Sequence, residues 1–81
     1  MSHTLQKTTA LAPRDRIIAA AKQRIQHQPH LAVQRIWFDF DEGKLFLRGQ
    51  VPSFYYKQLA QEAVTRLDDV REVVNEIEVL W

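Results

Sequence analysis

Few side chains in this chain are of the kinds that do chemistry. His27 and His30 flank Gln28-Pro29, a spacing at which a metal site can begin. A structural zinc site closes with four ligands, commonly including cysteine. The chain has no cysteine, and no carboxylate lies nearby in sequence, so the ligand count fails. The pair reads as plain surface histidines at a helix end, and His3 lies in the N-terminal stretch. Asp41-Glu42 and Asp68-Asp69 are paired carboxylates, the first requirement for acid–base catalysis. Both pairs sit at chain reversals, where acids occur because their side chains bond the local backbone. Gly43 and Gly49 stand alone, so no glycine-rich phosphate loop is present, and no Ser–His–Asp order is found. The expectation is a chain with no catalytic residues, no metal and no cofactor: not an enzyme.

What remains is apolar surface that a core does not claim. Phe54 and Tyr55 fall off the apolar stripe of the helix they begin: at 100° per residue, Phe54 lies nearly opposite its centre and Tyr55 about a quarter turn away. Lys57 follows them. Trp37, Phe46 and Leu80 fall on the opposite strand faces from their apolar neighbours, with Arg48 among them. Single exposed apolar groups are ordinary; clusters carry meaning.

The elements that hold these residues follow from periodicity. Met1–Ala12 is polar and aperiodic and reads as a flexible tail, with one domain over 13–81. Pro13 suits the first position of a helix and Asp15 its first turn. Ile17, Ile18, Ala21 and Ile25 then form one stripe, and Pro29 stops the helix near His27. Ile36, Phe38 and Phe40 alternate with Trp37 and Asp39 as a half-buried strand. Asp41-Glu42-Gly43 is turn chemistry. Leu45, Leu47 and Val51 then alternate with Lys44, Phe46, Arg48 and Gln50. A loop over Asp41–Lys44 sets Phe40 opposite Leu45 and Phe38 opposite Leu47, and only this register gathers the apolar residues on one face. Pro52-Ser53 opens a second helix with Ser53 as N-cap. Tyr56, Leu59, Ala60, Ala63, Val64 and Leu67 form its stripe, and Asp68-Asp69 breaks it. Val70 and Val73 lead into a last strand in which Ile77 and Val79 alternate with Glu76, Glu78 and Leu80. The predicted fold is α+β in the order αββαβ: a three-stranded mixed sheet with two helices packed on one face.

Length and charge narrow the function classes. Eighty-one residues make one domain with a modest core. Net charge is +1, too balanced to imply nucleic acid. Its distribution is uneven: residues 1–35 carry six Lys/Arg and one acid, and residues 36–81 carry five Lys/Arg and nine acids. No stretch approaches the roughly 20 apolar residues that span a bilayer. Met1–Pro13 has no apolar run of signal-peptide type, which points to the cytoplasm for the chain as it stands.

The run Ile36-x-Phe38-x-Phe40-Asp41-Glu42-Gly43-x-Leu45-x-Leu47-x-Gly49-x-Val51-x-Ser53 resembles the central signature of the BON domain. Lys57, Ala60 and Ala63 fall where that signature has its helix. Val70-x-x-Val73-x-Asn75-x-Ile77-x-Val79 resembles its closing segment, with Asp69 where the family usually has glycine. The resemblance covers about residues 14–80. It implies a non-enzymatic bacterial binding module associated with the cell envelope and osmotic stress, with a role in binding phospholipid membranes and a periplasmic or envelope location.

Two classes of function follow. In the first, Phe54, Tyr55 and Lys57 at a helix N-terminus contact an anionic phospholipid surface, since aromatic groups suit the interface and a helix N-terminus favours phosphate. The alternative for Phe54 and Tyr55 is that they fold back on Val51 and Pro52 and seal the hairpin end. In the second class, Trp37, Phe46, Arg48 and Leu80 make the open sheet face an interface for another protein or a second copy, or an edge strand adds a partner strand. The alternative there is that Trp37 and Phe46 form an ordinary cross-strand pair.

Overall fold

A computed structural model describes residues 12–80. The expected tail over 1–12 therefore lies outside the described residues except for Ala12, as do His3 and Trp81. Helix α1 spans Pro13–Gln26 with Pro13 in its first turn and Asp15 beside it. It buries Ile17, Ala21 and Ile25, the stripe that the spacing predicts. Pro29 ends this helix and starts another: Pro29–Ala32 forms a one-turn helix, α2, that buries Leu31. Proline fits there for the same reason as at position 13, because a first-turn N–H has no partner to lose.

Strands β1 (Arg35–Asp41) and β2 (Lys44–Val51) form an antiparallel hairpin. Phe38 faces Leu47 and Phe40 faces Leu45, the register that the apolar pattern selects. Asp41 and Lys44 are themselves paired, so the loop is only Glu42-Gly43, both at positive φ (49° and 82°). Two positive φ values match the turn that follows the twist of a tight hairpin.

Helix α3 spans Phe54–Ala63, and the Ser53 hydroxyl accepts the N–H of Tyr56 at 3.4 Å. The helix stops earlier than its apolar stripe suggests. Arg66 turns left-handed at φ 67°, and Arg24 of α1 donates to the carbonyls of Ala63 and Thr65 at 3.2 and 3.3 Å. Val64 and Leu67 are buried nonetheless.

The last strand divides into β3 (Glu72–Asn75) and β4 (Glu78–Val79), both parallel to β2. Asn75 supplies the reason. Its side chain donates to the Lys57 carbonyl at 2.9 Å and to Gln61 at 3.2 Å, and its oxygen accepts the N–H of Ile77 at 3.2 Å. The local bond draws Ile77 out of the ladder while Glu76 N–H still reaches the Leu47 carbonyl at 2.8 Å. The sheet thus has three lanes, β1, β2 and β3/β4, with β2 central. Leu31, Leu45, Leu47, Val51, Val64 and Ile77 are the largest fully buried side chains among the described residues, packed with the stripes of α1 and α3 on one face of the sheet.

Candidate functional site

The other sheet face carries the residues of opposite parity. Trp37 lies opposite Arg48, and Phe46 lies opposite Asp39. Trp37 and Phe46 are diagonal neighbours, not a facing pair. The Arg48 guanidinium sits 5.2 Å above the half-buried Phe46 ring. It also reaches Glu76 at 2.9 Å and Asp39 at 3.7 Å. Arg14, from the first turn of α1, closes on Asp39 at 2.5 Å. These four side chains, Arg14, Asp39, Arg48 and Glu76, form one chain of alternating charge across the three lanes. The hydrogen bond from Arg14 holds the Asp39 carboxyl below its ordinary value of 3.8, helped by the Phe40 N–H that it accepts at 2.9 Å. The face is therefore covered largely by its own ion pairs, with Trp37 left exposed.

A different arrangement appears where the hairpin opens. Val33 precedes β1, Pro52 follows β2, and Leu80 follows β4, its N–H bonded to the Val51 carbonyl at 2.9 Å. Val33, Pro52 and Leu80 line one shallow hollow with Arg35 and Gln50. Phe54 and Tyr55 begin α3 directly after Pro52-Ser53. They do not fold back to seal the hairpin: each is 61% exposed. Tyr55 is set edge-on to Tyr56 at 5.9 Å, and Tyr56 is tilted against His30 of α2 at 6.2 Å, so packed rings brace the first turn of α3. Among the described residues, four of the five large exposed hydrophobic side chains, Val33, Phe54, Tyr55 and Leu80, are at this end. The fifth, Trp37, lies two residues along β1 from Arg35. Lys57, one turn into α3, is half-buried.

The sequence-predicted residues thus separate into two groups. Leu80, expected with Trp37, Phe46 and Arg48, lies in the hollow with Val33 and Pro52, and Phe54 and Tyr55 begin α3 two residues after Pro52. Trp37, Phe46 and Arg48 share the open sheet face. Val33 and Pro52 join the first group unannounced; the only trace of Val33's place is an apolar residue between Pro29 and the strand with no periodic partner. The Arg14–Asp39 contact left no trace in the sequence, because it joins residues 25 positions apart.

His27 and His30 have separate surroundings. His27 Nδ1 lies 2.8 Å from the Gln23 carbonyl in the last turn of α1, and His30 lies against Tyr56. Among the described residues, no group of three His, Cys, Asp or Glu side chains is placed to hold a metal. No described helix is long and apolar enough to cross a membrane.

Two helices packed on one face of a mixed sheet, with exposed apolar groups at one end, define a small α+β domain. The BON domain family model matches residues 13–80, and the chain belongs to that family. BON domains are in general non-catalytic binding modules, associated with phospholipid binding and osmotic stress. A search of curated proteins finds no match. At Asp69, where the family usually has glycine, φ is 69°. The turn keeps the left-handed geometry although the residue is not glycine.

Proposed function

We propose that this domain contacts an anionic phospholipid surface through the open end of its hairpin, and that it does no chemistry. The observation that supports this reading is the exposure of Phe54 and Tyr55 in the first turn of α3, one turn before Lys57 and just after Pro52, which shares a hollow with Val33, Leu80 and Arg35. An apolar cluster edged by cations suits the headgroup boundary, where apolar groups leave water and cations meet lipid phosphate. Glu78 is the nearby acid, so the electrostatic part of the attraction is modest. Insertion of the aromatic rings carries most of the affinity. Phe54 is 61% exposed. Full insertion of that fraction of an aromatic side chain is worth about 2–4 kcal/mol. The open sheet face supports a protein partner less well, because Arg48, Asp39 and Glu76 already satisfy one another across it.

Flotation with vesicles of phosphatidylglycerol and of phosphatidylcholine tests this. The parent protein is expected to float with the anionic vesicles, and Phe54→Ala with Lys57→Ala to stay in the lower fraction. Because Phe54 is exposed, the double variant keeps nearly the parent melting temperature. A parent protein that binds neither vesicle at low salt and high lipid would refute the proposal.

A further inference from the structure

β1 is an edge strand: it pairs with β2 on one side, and nothing among the described residues pairs with its other side. The two-residue turn makes Asp41 and Lys44 a hydrogen-bonded pair. Alternation along the strand then points the N–H and C=O of Ile36, Phe38 and Phe40 outward, away from β2. Such a row is a template for another strand unless something blocks it. Here something does. The Phe40 N–H donates to the Asp39 carboxylate at 2.9 Å, and Arg14 reaches from α1 to hold that same oxygen at 2.5 Å.

The strand beneath this clasp is self-complementary. Two copies run antiparallel about Phe38 place Arg35 against Asp41, and Ile36 against Phe40, twice each. Trp37 meets Asp39 on the open face and Phe38 meets Phe38 on the other. Opposite charges face each other at both ends, and the half-buried Ile36 and Phe40 gain cover. The pairing needs the N–H of Phe40 for the Ile36 carbonyl of the second copy, and that is the group the clasp occupies.

We infer that the outer edge of β1 is a docking edge for a second copy of this chain, and that the Arg14–Asp39 clasp on Phe40 keeps it closed in the isolated domain. This does not depend on lipid contact, which involves the open end of the hairpin.

The test is light scattering across a concentration series, with amide exchange read at Ile36, Phe38 and Phe40. The parent protein is expected to stay monomeric with Phe40 protected. Asp39→Ala is expected to double in mass as concentration rises, with Ile36 and Phe38 gaining protection; Arg14→Ala shifts the same way, more weakly. Adding Ile36→Pro to Asp39→Ala removes an outward N–H without touching the β2 ladder and returns the chain to a monomer. Asp39→Ala with Trp37→Lys places a cation on the same edge and serves if the proline variant fails to fold. A dimeric parent overturns the clasp, and a monomeric Asp39→Ala overturns the docking edge. So does a dimer that survives both second substitutions. A monomeric Asp39→Ala in which Ile36 and Phe38 become protected would mean that the edge takes a segment of its own chain, and overturns it too.

Discussion

Replacing Gly49 by alanine is expected to bring this domain close to its folding limit, while the same change at Gly43 is expected to be mild. Gly49 lies in the middle lane of the sheet at φ 137°, and a Cβ built there runs into the Arg35 carbonyl oxygen of the adjacent strand. The backbone conformation costs a non-glycine residue about 1–3 kcal/mol. Pushing β1 aside in a packed sheet costs about 1–3 kcal/mol more. Alanine also stiffens the unfolded chain, which offsets about 0.4–1 kcal/mol. The net loss is about 1–5.5 kcal/mol, against a total stability of roughly 3.5–10 kcal/mol for a domain of this size. At Gly43 φ is 82°, and the added Cβ meets only the guanidinium end of Arg71, which can swing away. That side chain then gives up its 2.6 Å bond to the Glu42 carbonyl. The expected cost at Gly43 is about 1–2 kcal/mol. Urea denaturation of the two variants, compared at equal slope, measures both. If Gly49→Ala lies within 1 kcal/mol of the parent, or costs less than Gly43→Ala, the close approach of β1 and β2 at this point is wrong.

Phe38→Ala and Leu47→Ala, at facing positions on the core side of the hairpin, should each cost about 2–5 kcal/mol in the same assay. A loss under 1 kcal/mol at either site would contradict the register. Asp69→Gly should raise stability by about 0.5–1 kcal/mol, because glycine takes the left-handed conformation without strain. A destabilised variant would mean that the Asp69 side chain itself supports the turn. In a Trp81→Phe background, Trp37 fluorescence should be red-shifted and readily quenched by iodide in the monomer, because Trp37 is 53% exposed. Shielding at every concentration would show that another part of the chain covers it.

The elements were legible because local rules set them. Alternation of Ile36, Phe38 and Phe40 with Trp37 and Asp39 decides which strand face is buried, and only one hairpin register agrees with it. The 3.6-residue stripes through Ile17, Ala21 and Ile25 and through Tyr56, Ala60 and Ala63 assign both helices to that face. Pro13 and Ser53 mark where the helices start. The BON signature is made of these same core and turn residues, so the family was legible with the fold. The exposure of Phe54 and Tyr55 was open from sequence, because a helix stripe says which side is apolar but not whether the first turn leans back on the strand before it.

Tertiary structure decided what depends on residues far apart in the chain. Asn75 divides the last strand because the Lys57 carbonyl and Gln61 lie within its reach. Arg14 clasps Asp39 because α1 ends its packing at the edge of β1, a closeness that no spacing encodes. Arg24 stops α3 by taking carbonyls about 40 positions away. The apolar end exists because Val33, Pro52 and Leu80 lie beside three different strand ends that the sheet brings together. Periodicity determines which face of an element is buried. Which side chains from separate elements meet at a sheet's edge or end is set only when the elements pack.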